Sequence, residues 1–247
     1  MHDHQNYNLL LVVLSYAVSV LGSFTALQLA VTIPTAQNGR QRMVAVLAAG
    51  AAMGIGAIWA MHFIAMLACD MGLPVTYDLP RTTLSALIAF GSCAIGLGIV
   101  GTGAFNSGKL VLGGVFMGIG VAGMHYLGMA AMMMAADFSY AMNLVAVSIV
   151  IAVVASIAAL WLAFHMRGAA QMVGSALVMG VAVCGMHYTG MAAMNMEDNG
   201  GHVPQNYANG LQGDNLGMMI FGVVVGLLLI MLGIHHLRQR RRAAIAI

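Results

Sequence analysis

The chain has 247 residues, of which 61% are hydrophobic and only 6% charged; mean hydropathy is +0.92 and formal net charge +2. A soluble domain carries roughly 25% charged residues, so a water-exposed globule is excluded and the surrounding solvent must be lipid. Three cysteines, Cys69, Cys93 and Cys184, have no CxxC spacing, which argues against a disulfide framework.

Seven apolar stretches reach the roughly 20 residues that a bilayer span needs. The first, Leu9–Ile33, is too long for a secretory h-region and reads as a retained helix. Arg40 and Arg42 follow it. The second, Val44–Cys69, ends on "AMHFIAMLAC"; the third is Leu84–Thr102. After Lys109 comes the fourth, Leu110–Ala136, with "GMHYLGMAAM". The fifth is Leu144–Phe164, followed by Arg167, and the sixth, Met172–Met196, holds "GMHYTGMAAM". The seventh, Leu216–Leu237, runs into "RQRRR". The abundant glycine falls inside these runs, where small residues let helices approach closely. Every basic residue but Arg81 lies in connections 1–2, 3–4 and 5–6 or in the tail, and every acid lies at the other end. The positive-inside rule then places the N-terminus outside and the C-terminus in the cytoplasm. A basic run directly after a span is expected to touch anionic lipid; direct nucleic-acid binding is not expected.

The spans repeat. His62, His125 and His187 stand 63 and 62 residues apart, each in the outer half of an even-numbered span. The odd spans also resemble one another: "GSFTALQLA", "GSCAIGLGI" and "ASIAALWLA", with Ser23, Ser92 and Ser156 expected as helix–helix hydrogen-bonders. The expected fold is therefore an all-α membrane protein with seven transmembrane helices: three tandem parallel two-helix repeats plus a final helix. Parallel repeats are related by an axis along the membrane normal, so the three histidines are expected at one depth.

On a helix each residue turns by roughly 100°. Met66, Met129 and Met191, four residues after each histidine, lie about 40° from it, and Cys69, Met132 and Met194, seven after, about 20° to the other side. Imidazole and thioether thus share one stripe. Met61, Met124 and Met186, one before each histidine, point about 100° away, toward a small-residue face expected to pack other helices. This neutral, soft set suits copper over magnesium, calcium or manganese. His62, His125 and His187 are the expected metal ligands and Met66, Met129 and Met191 the soft co-ligands. Met61, Met124, Met186, Tyr126, Tyr188, Cys69, Met132 and Met194 are expected as additional ligands or as hydrogen-bonding neighbours of the site. Phe63 replaces tyrosine in the first copy. A single histidine in a span is more often a structural hydrogen-bonder; three copies with matched methionines favour a site. His165, His235 and His236 read as interfacial, and His2, His4 and His202 as outer-segment residues able to capture metal transiently. There is no nucleophile–base–acid set, P-loop or strand-bound GxGxxG, so no enzyme activity is expected.

Met186–Thr189 spells Met-His-Tyr-Thr, with degenerate copies at Met124–Leu127 and Met61–Ile64. At these residues the chain resembles the MHYT-domain integral-membrane sensors of bacteria, over nearly its whole length. The resemblance implies a sensor binding copper, as Cu(I) or Cu(II), through the Met, His and Tyr positions. It also implies a response to a diatomic gas (O2, CO or NO) or to redox state. Output would pass to a cytoplasmic cyclic-di-GMP enzyme or regulator. On this reading residues 1–237 are the sensor domain and 238–247 a basic cytoplasmic tail; the chain is either a stand-alone member or the sensor piece of a longer protein. Two competing readings remain: a copper transporter or permease, and a haem-binding membrane protein.

Overall fold

The computed structural model describes residues 6–213 and 215–245, with side chains omitted for Asp198 and for 241–245. His2, Asp3, His4 and Asp214 lie outside the described residues, as do the side chains of Arg241 and Arg242. Among the described residues, seven helices are long and apolar enough to cross a membrane. They are α1 (Leu9–Ala30), α2 (Gly39–Ala68), α3 (Leu79–Gly101), α4 (Ser107–Met129), α5 (Met142–His165), α6 (Ala169–Ala192) and α7 (Leu216–Ile245). Four start on a short polar side chain that accepts from the first turn: Asn8, Asn38, Asp78 and Asn106. Such caps satisfy backbone N–H groups that the helix itself leaves unpaired.

Helices α1 to α6 close into a ring in chain order, α6 returning to α1, and α2, α4 and α6 also meet near its centre. One glycine position shows how the ring closes. Gly54, Gly118 and Gly180 follow the equivalent methionines Met53, Met117 and Met179. A Cβ on each would strike the next odd helix: Ala89 of α3, Val153 of α5 and, across the closure, Val20 and Tyr16 of α1. Small residues here permit backbone approach that lipid alone would not drive. Helix α7 sits outside the ring, against α1 and the histidine-bearing half of α2.

The first repeat carries one extra residue. Met53 is eight residues before Met61, whereas Met117 and Met179 are seven before Met124 and Met186. In α2 the segment Ala52–Trp59 is π-helical. A π turn accommodates a single insertion within an α-helix, so Met53 and His62 both keep the register of their counterparts.

The three even helices end sooner than the hydropathy predicts, at Ala68, Met129 and Ala192. The chain then turns into short strands: β1 (Asn6–Tyr7) pairs with β2 (Cys69–Asp70), β3 (Thr76–Tyr77) with β4 (Met132–Met133), and β5 (Ala136–Tyr140) with β6 (Met194–Asp198). Each antiparallel ribbon joins the segment before an odd helix to the segment after its even partner. The all-α fold holds for the spans, and the ribbons add a third repeated feature at the histidine end. Arg81, the basic residue at this otherwise acidic end, donates from Nη1 to the Ala130 carbonyl at 2.6 Å. Its charge thus serves the C-terminal end of α4.

Candidate metal centre

The three imidazoles meet on the axis of the ring. His62, His125 and His187 are almost fully buried, and their ring centroids lie 4.8, 5.1 and 5.3 Å apart. Nδ1 of His62 is 3.0 Å from Nδ1 of His187 and 3.1 Å from Nδ1 of His125. All three ligand atoms fall within 4.8 Å of one another. A first-row ion about 2.0–2.1 Å from each imidazole nitrogen would space three coplanar donors by roughly 3.5 Å. Two of the three nitrogen spacings are about half an ångström shorter than that and would open to admit such an ion. No charged side chain lies in the cluster, so neutral imidazoles avoid the several kcal/mol that an unpaired buried charge costs.

The outward nitrogens are equally constrained. Nε2 of all three rings is buried without a hydrogen-bond partner. The His62 Nε2 abuts Gly128 of α4, and the His125 Nε2 abuts Gly190 of α6; a Cβ at either glycine would overlap the ring nitrogen. These glycines sit three residues after the next histidine. The small-residue face therefore does not simply pack against other helices: at this level it receives the neighbouring repeat's imidazole. Sequence reasoning missed this role because the contact runs between repeats; the recurring histidine-to-glycine spacing of three in "HYLG" and "HYTG" was its only signal.

Methionine layers flank the imidazoles. Met61, Met124 and Met186 are buried in the main core on one side. Met66, Met129 and Met191, together with Cys69, Met132 and Met194, are buried in a separate cluster under the ribbons. The thiol of Cys69 lies 3.9 Å from the Met71 sulfur. Burial holds that thiol above its ordinary pKa. None of the three cysteines is in a disulfide.

Aromatic residues in or beside the motif tie the first two repeats to the next odd helix. Tyr126 Oη lies 2.6 Å from Ser148 Oγ of α5. The Tyr188 hydroxyl is buried without a hydrogen-bond partner. In the first repeat, where Phe63 lacks the hydroxyl, Trp59 Nε1 donates to Ser85 Oγ of α3 at 3.0 Å. The inter-helix serines are thus Ser85 and Ser148. Ser92 donates instead to the Ala89 carbonyl of its own helix, and Ser23 is buried without a partner. A serine hydroxyl reaches its own preceding turn readily, and the expectation for Ser23 and Ser92 is corrected accordingly; no hydrogen bond is found for Ser156 either. His165 stacks on Trp161 and bonds its carbonyl, and His202 bonds the Asn199 carbonyl, both far from the triad in the fold.

This geometry defines a multi-pass membrane protein built around a repeated histidine–methionine core. Comparison with known proteins agrees. The chain belongs to the MHYT family, described as a bacterial signalling protein N terminal repeat, which matches at residues 56–113, 118–176 and 180–246. Among curated proteins it is 38% identical over 193 residues to the bifunctional diguanylate cyclase/cyclic di-GMP phosphodiesterase MucR of Pseudomonas aeruginosa, covering 76% of this chain and 28% of that protein. It is 35% identical to the cyclic di-GMP phosphodiesterase NbdA of the same species (76% and 24%) and 31% identical to the signaling protein YkoW of Bacillus subtilis (78% and 25%). The chain spans about a quarter of the length of these relatives. No solved structure matches it.

The family matches begin within even helices, so the third pairs α6 with α7. In space, the place beside α6 is taken by α1, and α7 lies outside the ring.

Proposed function

We propose that the chain is the membrane sensor of a cyclic-di-GMP signalling system and that it holds copper at His62, His125 and His187. The observation that carries this reading is the convergence of three buried, uncharged imidazoles between two methionine layers, a donor set of the soft kind that copper favours. Met66, Met129 and Met191 stand beside it as soft co-ligands. Bound copper would supply an open coordination position for a diatomic gas, or a one-electron redox change. The protein's own part is to fix three nitrogens at one level, exclude water beneath the ribbons and tie the first two motifs to the next odd helix. Copper suits this space better than haem: Nδ1 atoms 3.0–3.1 Å apart leave no room for a macrocycle between axial ligands.

The basic end faces the cytoplasm in this reading and the histidine end faces outward, following the charge asymmetry. Signal then passes toward the basic end, where the relatives' enzymatic segments suggest a cyclic-di-GMP enzyme or regulator as partner. A ligand shifts such a domain only by binding two arrangements differently; the ring packing around the imidazoles is the part it would bias. The test is metal analysis of purified protein. Wild type should retain about one copper per chain, and H62A/H125A/H187A should retain none. Equal copper in both would remove the site. Copper-dependent flux in liposomes would favour a permease instead.

A further inference from the structure

At the basic end, a cavity of about 850 Å³ opens between α1, α2 and α7. It exists because α7 packs on the histidine-bearing half of α2 and is not in comparable contact with the Gly39–Ala51 half. Its walls are of two kinds. Val44, Met231 and Ile234 form an apolar slot level with the spans. Arg40 and Arg238, joined by His235, form the rim. Arg40 also lies in the first turn of α2, where helix N–H groups and the macrodipole favour an anion. No described Asp or Glu lines the cavity.

We propose that this cavity is a binding site for an anionic phospholipid, with the phosphate held between Arg40 and Arg238 and an acyl chain lying in the slot between α2 and α7. A basic pocket between spans on the cytoplasmic side is the setting in which acidic headgroups are recognised. The volume falls within the roughly 300–1,000 Å³ range of ligand pockets, and the apolar floor favours a lipid over a free anion. The site rests on the basic end facing the cytoplasm but not on copper, so loss of the metal site leaves it untouched. Its occupant is a spacer between the helix that carries His62 and the helix outside the ring.

The test uses the full chain in mixed phosphatidylcholine–phosphatidylglycerol nanodiscs, with bound lipid read by native mass spectrometry after detergent exchange. Wild type should retain phosphatidylglycerol roughly 30-fold over phosphatidylcholine, the preference expected from two arginines near an anionic headgroup. R40Q/R238Q should lose that preference, and V44W, which fills the slot, should lose retained lipid while keeping the same helix content by circular dichroism. R167Q, on the same face but outside the cavity, should behave as wild type. Equal preference in wild type and R40Q/R238Q overturns the site. So does an equal loss in R167Q, which would mean surface charge alone. Full displacement by soluble glycerol 1-phosphate overturns the lipid assignment.

Discussion

The imidazoles owe their shared level to residues with no side chain. Gly128 and Gly190 leave room for the His62 and His125 Nε2 atoms. Gly128→Ala is expected to cost about 1–3 kcal/mol as an overpacked core site and to lower copper retention. Gly123→Ala, five residues earlier with open space around it, should leave the melting temperature in detergent unchanged. The tyrosine of the motif makes a second prediction. Ser148→Ala should cost about 1 kcal/mol through the lost Tyr126 bond, and Y126F/S148A should cost no more than the larger single change, as expected of one shared interaction. A third concerns Cys69, whose thiol burial pushes above its ordinary value of 9.0. A thiol raised on folding contributes stability below the unfolded pKa and loses it as pH rises past that value. Alkylation of Cys69 at pH 9 should therefore be much slower in folded than in unfolded protein; equal rates would contradict its burial.

At the scale of helices, the π segment Ala52–Trp59 absorbs the extra residue of the first repeat. Deleting Ile58 should convert it to continuous α-helix, with folding and copper binding retained. Deleting Val121 from α4, which has no such reserve, turns His125 by about 100° and should abolish copper binding. If both deletions behave alike, the π segment is not the compensating element. The insertion was visible in the spacing of "MGIGAIWAMH" against "MGIGVAGMH", although its structural solution was not, because a π turn has no composition of its own. The histidines, their methionines and all seven spans were legible because hydropathy and threefold repetition do not depend on knowing which helices touch. The ribbons were not: strands of two to five residues show no periodicity, and β1, β3 and β5 pair only because the even helices deliver β2, β4 and β6 beside them. The serine partners Ser85 and Ser148 were likewise hidden, since their bonds are set by the azimuth of one helix against another.

For the molecule as a whole, orientation can be tested directly. In a cysteine-free background, S139C in the β5–β6 ribbon should react with a membrane-impermeant maleimide in spheroplasts, and S107C at the start of α4 should react only after lysis. The reverse pattern would invert the topology. The closed ring makes the three motifs near equivalents where they meet, yet among the described residues the outlying α7 packs chiefly on α1 and α2. On the proposed function, three receptors would share a single listener, and it is pressed to one of them. Damage at His62 and damage at His125 should harm copper retention alike, but only the former strikes the helix that leans on the exit rod, so a symmetric chamber would speak with a lopsided voice.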